Sequence, residues 1–333
     1  MSDRCCGNDP AGIMRADTVM TFRDRLGALK VRCGIGRNNY KVTPGLYALG
    51  SPDDKSAVFV SANYKLTFDS LRKELSGMDC YILILDTKGV NVWCAAGKGT
   101  FGTDELVSRI EKTGLAGIVS HRELILPQLG ASGVCAHNVK RRTGFEVIYG
   151  PVRASDIKKF IAAGMDADDD MRAVRFTTRD RIVLVPMEFI PAMKFSLPIF
   201  GILFLANMIL REPFGIEDLA TYMCALAAGA VLTPVLLPII PGRAFSLKGW
   251  IVGILLTLFA VWQFGWLQDD IIVASGYLLL IPSVSAYFAM NFTGSSTYTS
   301  PSGVLKEMRF AVPFILITVI IGSILLFIGK VIV

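Results

Sequence analysis

The sequence predicts an α/β domain with a parallel, doubly wound sheet, followed by an all-α domain of five transmembrane helices. Three observations lead to this fold class. Most of the charge of the 333-residue chain lies in residues 1–187. Short apolar runs alternate with helix-like segments between residues 56 and 164. From Phe189 onward the chain consists of long apolar runs that are broken by short polar loops.

These shifts in composition predict four segments. We expect an N-terminal segment over residues 1–39, an α/β domain over 40–165, a linker over 166–188 and a transmembrane domain over 189–333. Within the first segment, residues 17–30 have the pattern of an amphipathic helix. The adjacent Cys5 and Cys6 either bind a soft metal or belong to a disordered tail, and the composition favours the tail.

The α/β domain is predicted from four strands and four helices. The strands are expected at residues 56–62, 80–89, 117–121 and 145–152, and the helices at 67–77, 103–114, 130–144 and 155–164. Ligands of such sheets bind beside the carboxyl ends of the strands. The residues predicted to line the site at those ends are Ser61, Ala62, Asn63, Tyr64, Ser120, Tyr149, Gly150, Pro151 and Val152. His121 lies at one of these predicted ends. It is the second candidate for a metal ligand, besides Cys94.

Five apolar stretches have about the length, ~20 residues, that crosses a bilayer. They are predicted at residues 190–210, 219–240, 249–267, 271–290 and 310–332. Basic residues are in excess before the first, third and fifth stretches, which predicts that the N-terminus is inside and the C-terminus outside. Because the apolar stretches contain almost no ionisable residue, an anchor or docking platform is favoured over a transporter.

One polar loop, NFTGSSTYTSPSG at residues 291–303, lies on the cytoplasmic side in this topology. It is either a flexible linker rich in serine and threonine or a surface that closes over the soluble domain. The composition favours the linker.

The seven cysteines show no zinc-ligand spacing and no CxxC pattern. The N-terminal residues are polar and do not resemble a signal peptide. We therefore expect mostly free thiols in a reducing compartment, with the soluble domain in the cytoplasm.

The stretch NVWCAAGKGTFG, residues 91–102, first looks like a nucleotide-binding loop. A P-loop is excluded, because it requires a glycine five positions before the Gly-Lys pair and Ser or Thr directly after it. Gly97, Gly99 and Gly102 do fit the glycine spacing of a dinucleotide fingerprint. That fingerprint requires the glycines directly after a strand, and the predicted strand ends near Thr87.

The same residues also fit a helical turn, in which Cys94, Gly97 and Lys98 share one face. The small residues Ala95 and Ala96 leave this surface flat enough for a large planar ligand, and Cys94 is then the side chain placed to reach a metal at its centre. The alternative is that Cys94 is a small buried core residue, the usual state of a free cysteine. The pattern alone favours this alternative.

The stretch closely resembles the cap-helix motif of the mercury-methylating corrinoid proteins, which are membrane-anchored proteins of anaerobic microbes. That motif reads Asn, Val or Ile, Trp, Cys, Ala or Ser, Ala or Gly, Gly, Lys. This chain matches it at Asn91, Val92, Trp93, Cys94, Ala95, Ala96, Gly97 and Lys98. The flanking segments GLYALGSPDD and NVKRRTGFEVIYGPVRA and the five C-terminal spans are similar to the family as well, so the resemblance covers nearly the whole chain from Tyr40.

The resemblance implies an α/β Rossmann-like corrinoid-binding domain, similar in kind to that of the corrinoid iron–sulfur protein of acetyl-CoA synthesis, and an all-α transmembrane domain of five helices in the cytoplasmic (inner) membrane. It implies that the eight motif residues bind the corrinoid and that Cys94 is the lower axial ligand of cobalt. Trp93 either packs at the edge of the cofactor or is a core aromatic residue. The implied activity is transfer of a methyl group from cobalt to Hg(II), which produces methylmercury.

The implied partners are Hg(II) thiolates, a methyltetrahydrofolate-dependent methyl donor and a ferredoxin-like protein with two 4Fe–4S clusters that supplies electrons. This chain lacks the clustered cysteines that such clusters require. Membrane lipid is a further expected partner, and nucleic acid is not.

Three functions follow as hypotheses. The first is a corrinoid-dependent methyltransferase that acts on mercury. The second is a corrinoid methyl carrier of one-carbon metabolism, for which mercury is an accidental substrate. The third is a membrane receptor or nucleotide-binding scaffold without methyl chemistry.

Overall fold

The computed structural model describes residues 12–210, 215–264, 270–298 and 300–332. Cys5 and Cys6 lie outside these ranges, so their metal binding stays a prediction. The chain folds into two compact units. The first unit contains Ile35–Val174 and the chain up to Val31, and the second contains Arg32–Gly34 and the chain from Arg175 onward.

The first unit is built around a sheet that has six strands within the described residues. The strands are β1 (Met14–Arg15), β2 (Gly45–Leu49), β3 (Val58–Ala62), β4 (Cys80–Leu85), β5 (Glu123–Pro127) and β6 (Glu146–Gly150). Their order across the sheet is β1-β2-β4-β3-β5-β6. Strands β3 to β6 run parallel, but β2 is antiparallel to β4, so the sheet is mixed and not wholly parallel as predicted. Strand β2 is absent from the predicted set because GLYAL is a short run, buried throughout, without alternation.

The third predicted strand, at residues 117–121, is wrong. Leu115–Gly117 form a 3-10 turn, and the strand lies further along the chain, at β5. The backbone N–H of Ser120 donates to the carbonyl oxygen of Asp54 (N···O 2.7 Å), so this stretch bonds to the loop before β3 and not to a neighbouring strand. Because β5 runs parallel to β3, Ser120 and His121 lie at the amino ends of the strands, opposite to their predicted position.

Helices cover both faces of the sheet. They are α1 (Phe22–Arg32), α2 (Lys65–Glu74), α3 (Val92–Gly97), α4 (Thr103–Thr113), α5 (Ala136–Thr143), α6 (Ile157–Ala162) and α7 (Asp169–Arg172). Leu106 of α4 and Val139 of α5 belong to one apolar core, and Phe68 of α2 and Phe160 of α6 belong to the other. Alternate residues of the strands supply the two cores, as expected for a sheet that is buried on both sides. The predicted helix over residues 130–144 begins only at Ala136, because a loop precedes it.

A charged network holds α1 against α2. Lys65 Nζ lies 2.7 Å from Asp24 Oδ1 and 2.8 Å from Asp69 Oδ2. Arg72 places Nε 2.8 Å from Asp69 Oδ1 and Nη2 2.9 Å from Asp24 Oδ2. Burial alone would raise the pKa of the Asp24 carboxyl, but hydrogen bonds from Lys65 and Thr21 outweigh it and hold the pKa well below its usual range.

The helix predicted over residues 17–30 is present but begins later, at Phe22. Thr21 and Asp24 cap it reciprocally. The N–H of Thr21 donates to Asp24 Oδ2 (3.1 Å), and the N–H of Asp24 donates to Thr21 Oγ1 (3.2 Å). This capping box explains the start of the helix.

The second unit is helical. Its helices are α8 (Thr178–Leu210), α9 (Ile216–Ala227), α10 (Thr233–Val235), α11 (Phe245–Phe264), α12 (Ile271–Asn291) and α13 (Pro301–Phe327), and a π-helical turn, Ala228–Leu232, joins α9 to α10. Among the described residues, five helical segments are long and apolar enough to cross a membrane: Thr178–Ile209, Asp218–Val235, Phe245–Gln263, Ile271–Ser295 and Ser302–Lys330. Each overlaps one of the predicted spans.

The predicted second span, 219–240, is too long, because its helix ends at Val235. Arg181 Nη2 donates to the carbonyl oxygen of Val235 (3.0 Å), and Lys248 Nζ donates to those of Ile240 (2.8 Å) and Leu237. Both cations are buried. They satisfy carbonyl groups that have no further helical turn to bond with.

Helix α8 begins at Thr178, inside the segment that is predicted as a linker. The N–H and the hydroxyl of Thr177 donate to Asp180 Oδ2 at 2.9 and 2.8 Å. This cap lies ahead of the apolar run, so the helix extends beyond the predicted span.

The helices of the second unit alternate in direction. At one end, the N–H of Ser246, at the start of α11, donates to Glu307 Oε1 near the start of α13 (2.6 Å). At the other end, Lys330 Nζ lies 2.6 Å from Asp218 Oδ1 at the start of α9. Phe176, just before α8, packs against the cluster that contains Phe245 at the start of α11. The starts of α8, α11 and α13 therefore share one end of the bundle, which is the arrangement that the loop charges require.

The polar loop at 291–303 is partly folded. Phe292–Ser295 form a 3-10 turn, Phe292 is fully buried, and Ser295 Oγ donates to Glu188 Oε1 (2.9 Å). The flexible-linker interpretation is wrong for this part of the loop, because its side chains pack into the second unit. Residue 299 lies outside the described residues, and closure of the loop over the first unit stays a prediction.

Candidate cofactor site

The candidate site lies where the chain leaves β4. The strand ends at Leu85, and the loop 86–90 leads into α3. Asn63, which directly follows β3, holds this loop through its side-chain amide. Its Oδ1 accepts from the N–H groups of Thr87 (3.1 Å) and Gly89 (2.9 Å) and lies 2.9 Å from Thr87 Oγ1. Its Nδ2 donates to Asp86 Oδ1 (3.3 Å), so both ends of one buried amide hold the loop.

The loop turns tightly at Lys88 and Gly89, whose backbones are left-handed with φ of 59° and 77°. Glycine adopts this region freely, whereas a residue with a side chain adopts it at a cost in free energy. On the side away from Asn63, Glu105 Oε1 of α4 accepts from the N–H of Asp86 (2.8 Å). The loop that carries the chain into α3 is thus held from β3 and from α4.

Asn91 fixes the start of α3. Its backbone is extended (φ −65°, ψ 162°), and its Oδ1 accepts from the N–H of Cys94 at 2.9 Å. These are the features of an asparagine N-cap. The helical interpretation of this stretch is therefore confirmed, and Cys94 lies in the first turn of the helix.

The two faces of α3 differ in exposure. The buried residues are Val92, Ala95 and Ala96, and the exposed ones are Trp93, Cys94, Gly97 and Lys98. Trp93 is 44% exposed and is not a core aromatic residue. Cys94 is exposed too, so its interpretation as a buried core cysteine is wrong. Gly97 is the last residue of α3, and Gly99 and Gly102 follow the helix, so the glycines do not directly follow a strand, which excludes the dinucleotide fingerprint.

The loop 128–135, which follows β5, supports the buried face of α3. A Cβ atom on Gly133 would lie 3.2 Å from Ala96 Cβ and would press against the carbonyl oxygen of Phe101. A Cβ atom on Gly130 would lie 2.6 Å from Phe101 Cε1. Phe101 itself is fully buried. Glycine at these two positions lets the loop approach α3 and the turn after it closely.

The residues that are predicted to line the site at the strand ends are mostly covered. Ser61, Ala62, Asn63, Tyr64, Gly150 and Pro151 are buried, and Tyr149 and Val152 are partly buried. The Tyr149 hydroxyl donates to the carbonyl oxygen of Val134 (2.6 Å), within the loop that supports α3. These residues lie at the carboxyl edge of the sheet. Among them, Asn63 and Tyr149 hold the loops around α3, and contact of the set with a cofactor stays a prediction.

Ser120 and His121 do not join this group. They lie at the amino ends of the strands, so the predicted strand-end position of Ser120 beside the cofactor is wrong. His121 Nε2 lies 3.0 Å from the carbonyl oxygen of Ser56, and Nδ1 accepts from the N–H of Glu123 (3.2 Å). Because both ring nitrogens are used within the protein, His121 is not available as the alternative metal ligand.

Cys94 and Cys80 differ as possible metal ligands. Cys80 on β4 is fully buried, and burial raises the pKa of its thiol to about 12. A thiol with that pKa stays protonated at neutral pH, whereas the thiolate is the form that binds metals. Cys94 is exposed to solvent. Within the described part of the chain, no group of three His, Cys, Asp or Glu residues lies close enough to hold a metal ion.

The surface beside Cys94 fits a broad planar ligand with a metal at its centre. Apart from the adjacent residues and the backbone of the helix itself, no described atom lies within 4 Å of the position that a Cβ atom would take on Gly97 or Gly99. The exposed face of α3 therefore offers one sulfur, one indole and open space. A single thiolate donor in such surroundings suits a corrinoid, whose cobalt takes one lower axial ligand.

Sequence patterns do not identify Thr87, Gly130 and Gly133 as supports of α3. Asn63 and Thr87 are separated by 24 residues, and no local pattern indicates that their side chains meet. Gly130 and Gly133, the two glycines of the stretch GASG, give a weak signal, since closely spaced glycines often mark a close approach of two backbone segments.

Comparisons with known proteins cover much of the first unit. Residues 26–161 match the family model of the CO dehydrogenase/acetyl-CoA synthase delta subunit. The acetyl-CoA decarbonylase/synthase complex subunit gamma of Methanocaldococcus jannaschii is 33% identical over 132 residues, which are 39% of this chain and 27% of the relative. The same subunit of Methanopyrus kandleri is 32% identical over 127 residues, 38% of this chain and 27% of the relative.

A further relative is the corrinoid/iron-sulfur protein large subunit of Moorella thermoacetica, 32% identical over 127 residues, 38% of this chain and 28% of the relative. The chain thus spans about a quarter of the length of the curated relatives it matches. The segment matched by the family model, 26–161, contains β2 to β6 and the Cys94 helix. The part of the chain that presents Cys94 therefore matches the model of the CO dehydrogenase/acetyl-CoA synthase delta subunit, and one relative of the chain is named as a corrinoid/iron-sulfur protein.

Proposed function

We propose that this protein is a corrinoid-dependent methyltransferase that transfers a methyl group from cobalt to inorganic Hg(II), giving methylmercury. The observation that carries the proposal is the exposed thiol of Cys94 on α3, beside Trp93 and the open surface at Gly97. The similarity to a corrinoid/iron-sulfur protein large subunit supports the cofactor. The resemblance of residues 91–98 to the cap-helix motif of mercury-methylating proteins supports the acceptor.

In this proposal the Cys94 thiolate would hold the cobalt of a corrinoid. The hydrogen bond from its N–H to Asn91 fixes the backbone that carries the sulfur. The motif residues divide by exposure: Val92, Ala95 and Ala96 anchor the helix by burial, and Trp93, Gly97 and Lys98 would face the ligand. A bound corrinoid would supply the cobalt–methyl chemistry, and the thiolate would donate electron density to the metal.

The proposed acceptor, Hg(II), is a soft ion that thiolates bind in cells. A ferredoxin-like protein with two 4Fe–4S clusters supplies electrons, and a methyltetrahydrofolate-dependent donor supplies the methyl group. Both partners follow from the family resemblance, and pull-down of the iron–sulfur protein with the full-length chain tests the first of them.

We place the second unit in the cytoplasmic membrane, with the corrinoid unit facing the cytoplasm. Five segments of suitable length and apolarity support this location. The starts of α8, α11 and α13, which carry the excess of basic residues, lie at one end of the bundle, and such an excess marks the cytoplasmic side. We expect Lys306→Cys to react with a membrane-impermeant thiol reagent only in opened cells. Labelling in intact cells would contradict this topology.

The cofactor assignment is tested on the purified full-length protein by cobalt analysis, corrinoid extraction and absorption spectroscopy. We expect bound corrinoid with a sulfur–cobalt signature that is lost in Cys94→Ala. The matched control is Cys135→Ala, because Cys135 is another exposed cysteine of the first unit. Wild-type protein without corrinoid, or a Cys94→Ala spectrum equal to that of wild type, would contradict the cofactor assignment.

The acceptor is tested in cells that are supplied with Hg(II). We expect methylmercury only in cells that contain the protein, and none above background with Cys94→Ala. Full methylation by the Cys94→Ala variant would show that the thiol is not required.

A methyl carrier of one-carbon metabolism is the second candidate, and the similarity to gamma subunits of acetyl-CoA decarbonylase/synthase complexes favours it. In that function mercury is a side substrate. The two functions differ when one-carbon flux is measured without mercury in cells with and without the protein. A fall in flux on removal of the protein supports the carrier, and unchanged flux with loss of methylmercury supports the first function.

A further inference from the structure

Helix α1 (Phe22–Arg32) carries an apolar face that no described part of the chain covers. Phe22, Leu26 and Leu29 are 78%, 40% and 58% exposed, and Val19, just before the helix, is 66% exposed. Positions that are four and seven residues apart lie on the same side of a helix. Phe22, Leu26 and Leu29 therefore form one continuous row, which we call the α1 stripe.

The opposite face of α1 is held firmly against the first unit. Ala28 and Val31 are buried. Asp24 points to the same inner side, where it forms ion pairs with Lys65 (2.7 Å) and Arg72 (2.9 Å). The helix thus has a packed face of its own, and the exposed stripe is a second apolar face.

Cations flank the α1 stripe on both sides. With 3.6 residues per turn, Arg23 and Lys30 lie along one side of it and Arg25 lies along the other. All three are exposed, and within the described residues none of them forms an ion pair. The one acid of the helix, Asp24, is used on the inner face.

We propose that the α1 stripe docks on a membrane surface that contains anionic lipid. An apolar row bordered by Arg and Lys is the composition of helices that lie in the plane of the interface, with the apolar side chains below the headgroups. A bilayer offers negative groups all around an inserted row, which matches cations on both flanks. The proposal depends on the membrane location proposed for the second unit, and it does not depend on the methyl chemistry.

The test uses the full-length protein in proteoliposomes, with p-benzoylphenylalanine in place of Leu26. Irradiation links this residue to its nearest neighbour, and mass spectrometry identifies the adduct. We expect lipid adducts, several-fold more abundant in liposomes with phosphatidylglycerol than in phosphatidylcholine alone. The same probe at Lys112, an exposed position on α4, serves as the control and should give few lipid adducts.

A charge-matched pair of variants tests the cations. Arg23→Gln combined with Lys30→Gln should lower the lipid adduct at position 26 by about tenfold in anionic liposomes, because each cation near the surface adds to binding. Lys112→Gln combined with Lys159→Gln removes the same charge from exposed positions of α4 and α6 and should leave the yield unchanged.

Three results would overturn the docking proposal: a protein adduct in place of lipid, equal lipid yields in the two kinds of liposome, or an equal drop in both variant pairs. Alkaline carbonate extraction of the same liposomes reports on the second unit separately. A chain that carbonate removes contradicts the membrane location of that unit. A chain that is retained but gives no lipid adduct at position 26 contradicts the docking alone.

Discussion

The first unit contains two buried polar networks that differ in charge, and each holds a short helix. Beneath the chain that enters α3, the neutral side chain of Asn63 accepts hydrogen bonds from Thr87 and Gly89. Beneath α1, the charged Asp69 pairs with Lys65 and Arg72. The first network supports the helix that presents a thiol, and the second supports the helix that presents an apolar stripe.

The difference predicts different responses to solution conditions. An amide does not titrate, so the bonds that Asn63 Oδ1 accepts from the Thr87 and Gly89 N–H groups should not depend on pH or salt. Ion pairs weaken when a carboxylate is protonated, and partly exposed ones weaken with salt. The attachment of α1 should therefore respond to pH and salt more strongly than the bonds at Asn63 Oδ1.

The largest effect is expected from the charged network. Asp69→Asn leaves Lys65 and Arg72 buried with one acid between them and should lower the free energy of unfolding of the first unit by about 3–5 kcal/mol. Native-state hydrogen exchange of the β3 and β4 amides, in the full-length protein, measures it. Asp104→Asn is the control: Asp104 pairs with Arg142 at a side-chain exposure of 93%, and its loss should cost about 0–1 kcal/mol. Equal losses would mean that burial of the network is unimportant.

The neutral network comes next. Asn63→Leu removes the acceptor of the Gly89 N–H, and the bonds from Asn63 to Thr87 and Asp86 are lost with it, so the free energy of unfolding should fall by about 2–3 kcal/mol. Corrinoid retention should fall as well, since the entry into α3 is no longer fixed. Asn138→Leu is the control, because its Oδ1 accepts a single exposed bond from Arg141. If the Asn63→Leu variant kept both its stability and its corrinoid, Asn63 would have no role in the site.

A smaller effect is expected where the loop 128–135 touches α3. Gly133→Ala introduces a methyl group against Ala96 and the Phe101 carbonyl group and should cost about 1–3 kcal/mol by overpacking. Gly117→Ala adds the same methyl group where no described atom lies within 4 Å, so it should cost less. Thermal shift of the two variants, side by side, provides the measurement. A larger shift for Gly117→Ala would contradict the close packing.

The pH dependence separates the two networks directly. The folded pKa of Asp24 is depressed, so its contribution to stability is fully present above the unfolded value, ~4, and is lost as the pH falls below it. Allowing for solvent screening, the loss should be about 1–2 kcal/mol. Hydrogen exchange of the α1 amides at pH 5 and pH 3 should show it, and Asp24→Asn should remove it. Exchange of the Thr87 and Gly89 amides, which bond to the neutral Asn63 Oδ1, should change less than exchange of the α1 amides, and an equal change would remove the distinction.

The smallest effect on stability is expected at the candidate ligand itself. Cys94 is exposed, so Cys94→Ala should change the free energy of unfolding by no more than about 0.5 kcal/mol. Loss of the cobalt–sulfur signature without loss of stability would separate function from folding. Destabilisation by several kcal/mol would instead assign Cys94 a structural role.

The helix at Cys94 is predictable in outline because its signals are local: a run of small residues is visible in a single stretch, and the structure forms the helix from Val92. The exposure of Cys94 is not predictable in this way, since the pattern alone favours a buried cysteine. Strands β3, β4 and β6 are predicted near their places because their runs are rich in Val and Ile. Strand β2 is missed because GLYAL contains no β-branched residue.

The supports of the site are poorly predictable, because they join residues that are distant in sequence. Asn63 is predicted as a ligand-binding residue at a strand end, and in the structure it is a buried hub for the next loop. Ser120 is misplaced because one apolar stretch, GIVSH, was as strand-like as ELILP, and only tertiary hydrogen bonds decide between them. Contacts of this kind can be predicted only when the order of the strands in the sheet is known.

Arg181 and Lys248 have a consequence for how the chain is made. In the membrane location proposed for the second unit, both belong to the excess of positive charge that would set the orientation of newly synthesised spans during insertion. In the folded chain both are buried on carbonyl groups at and just beyond the end of α10. Under that proposal each cation would have one task during insertion into the bilayer and another in the assembled bundle. Exchange of either for glutamine would keep a hydrogen-bond donor but remove the insertion signal, so biogenesis and the finished fold respond differently to the same replacement.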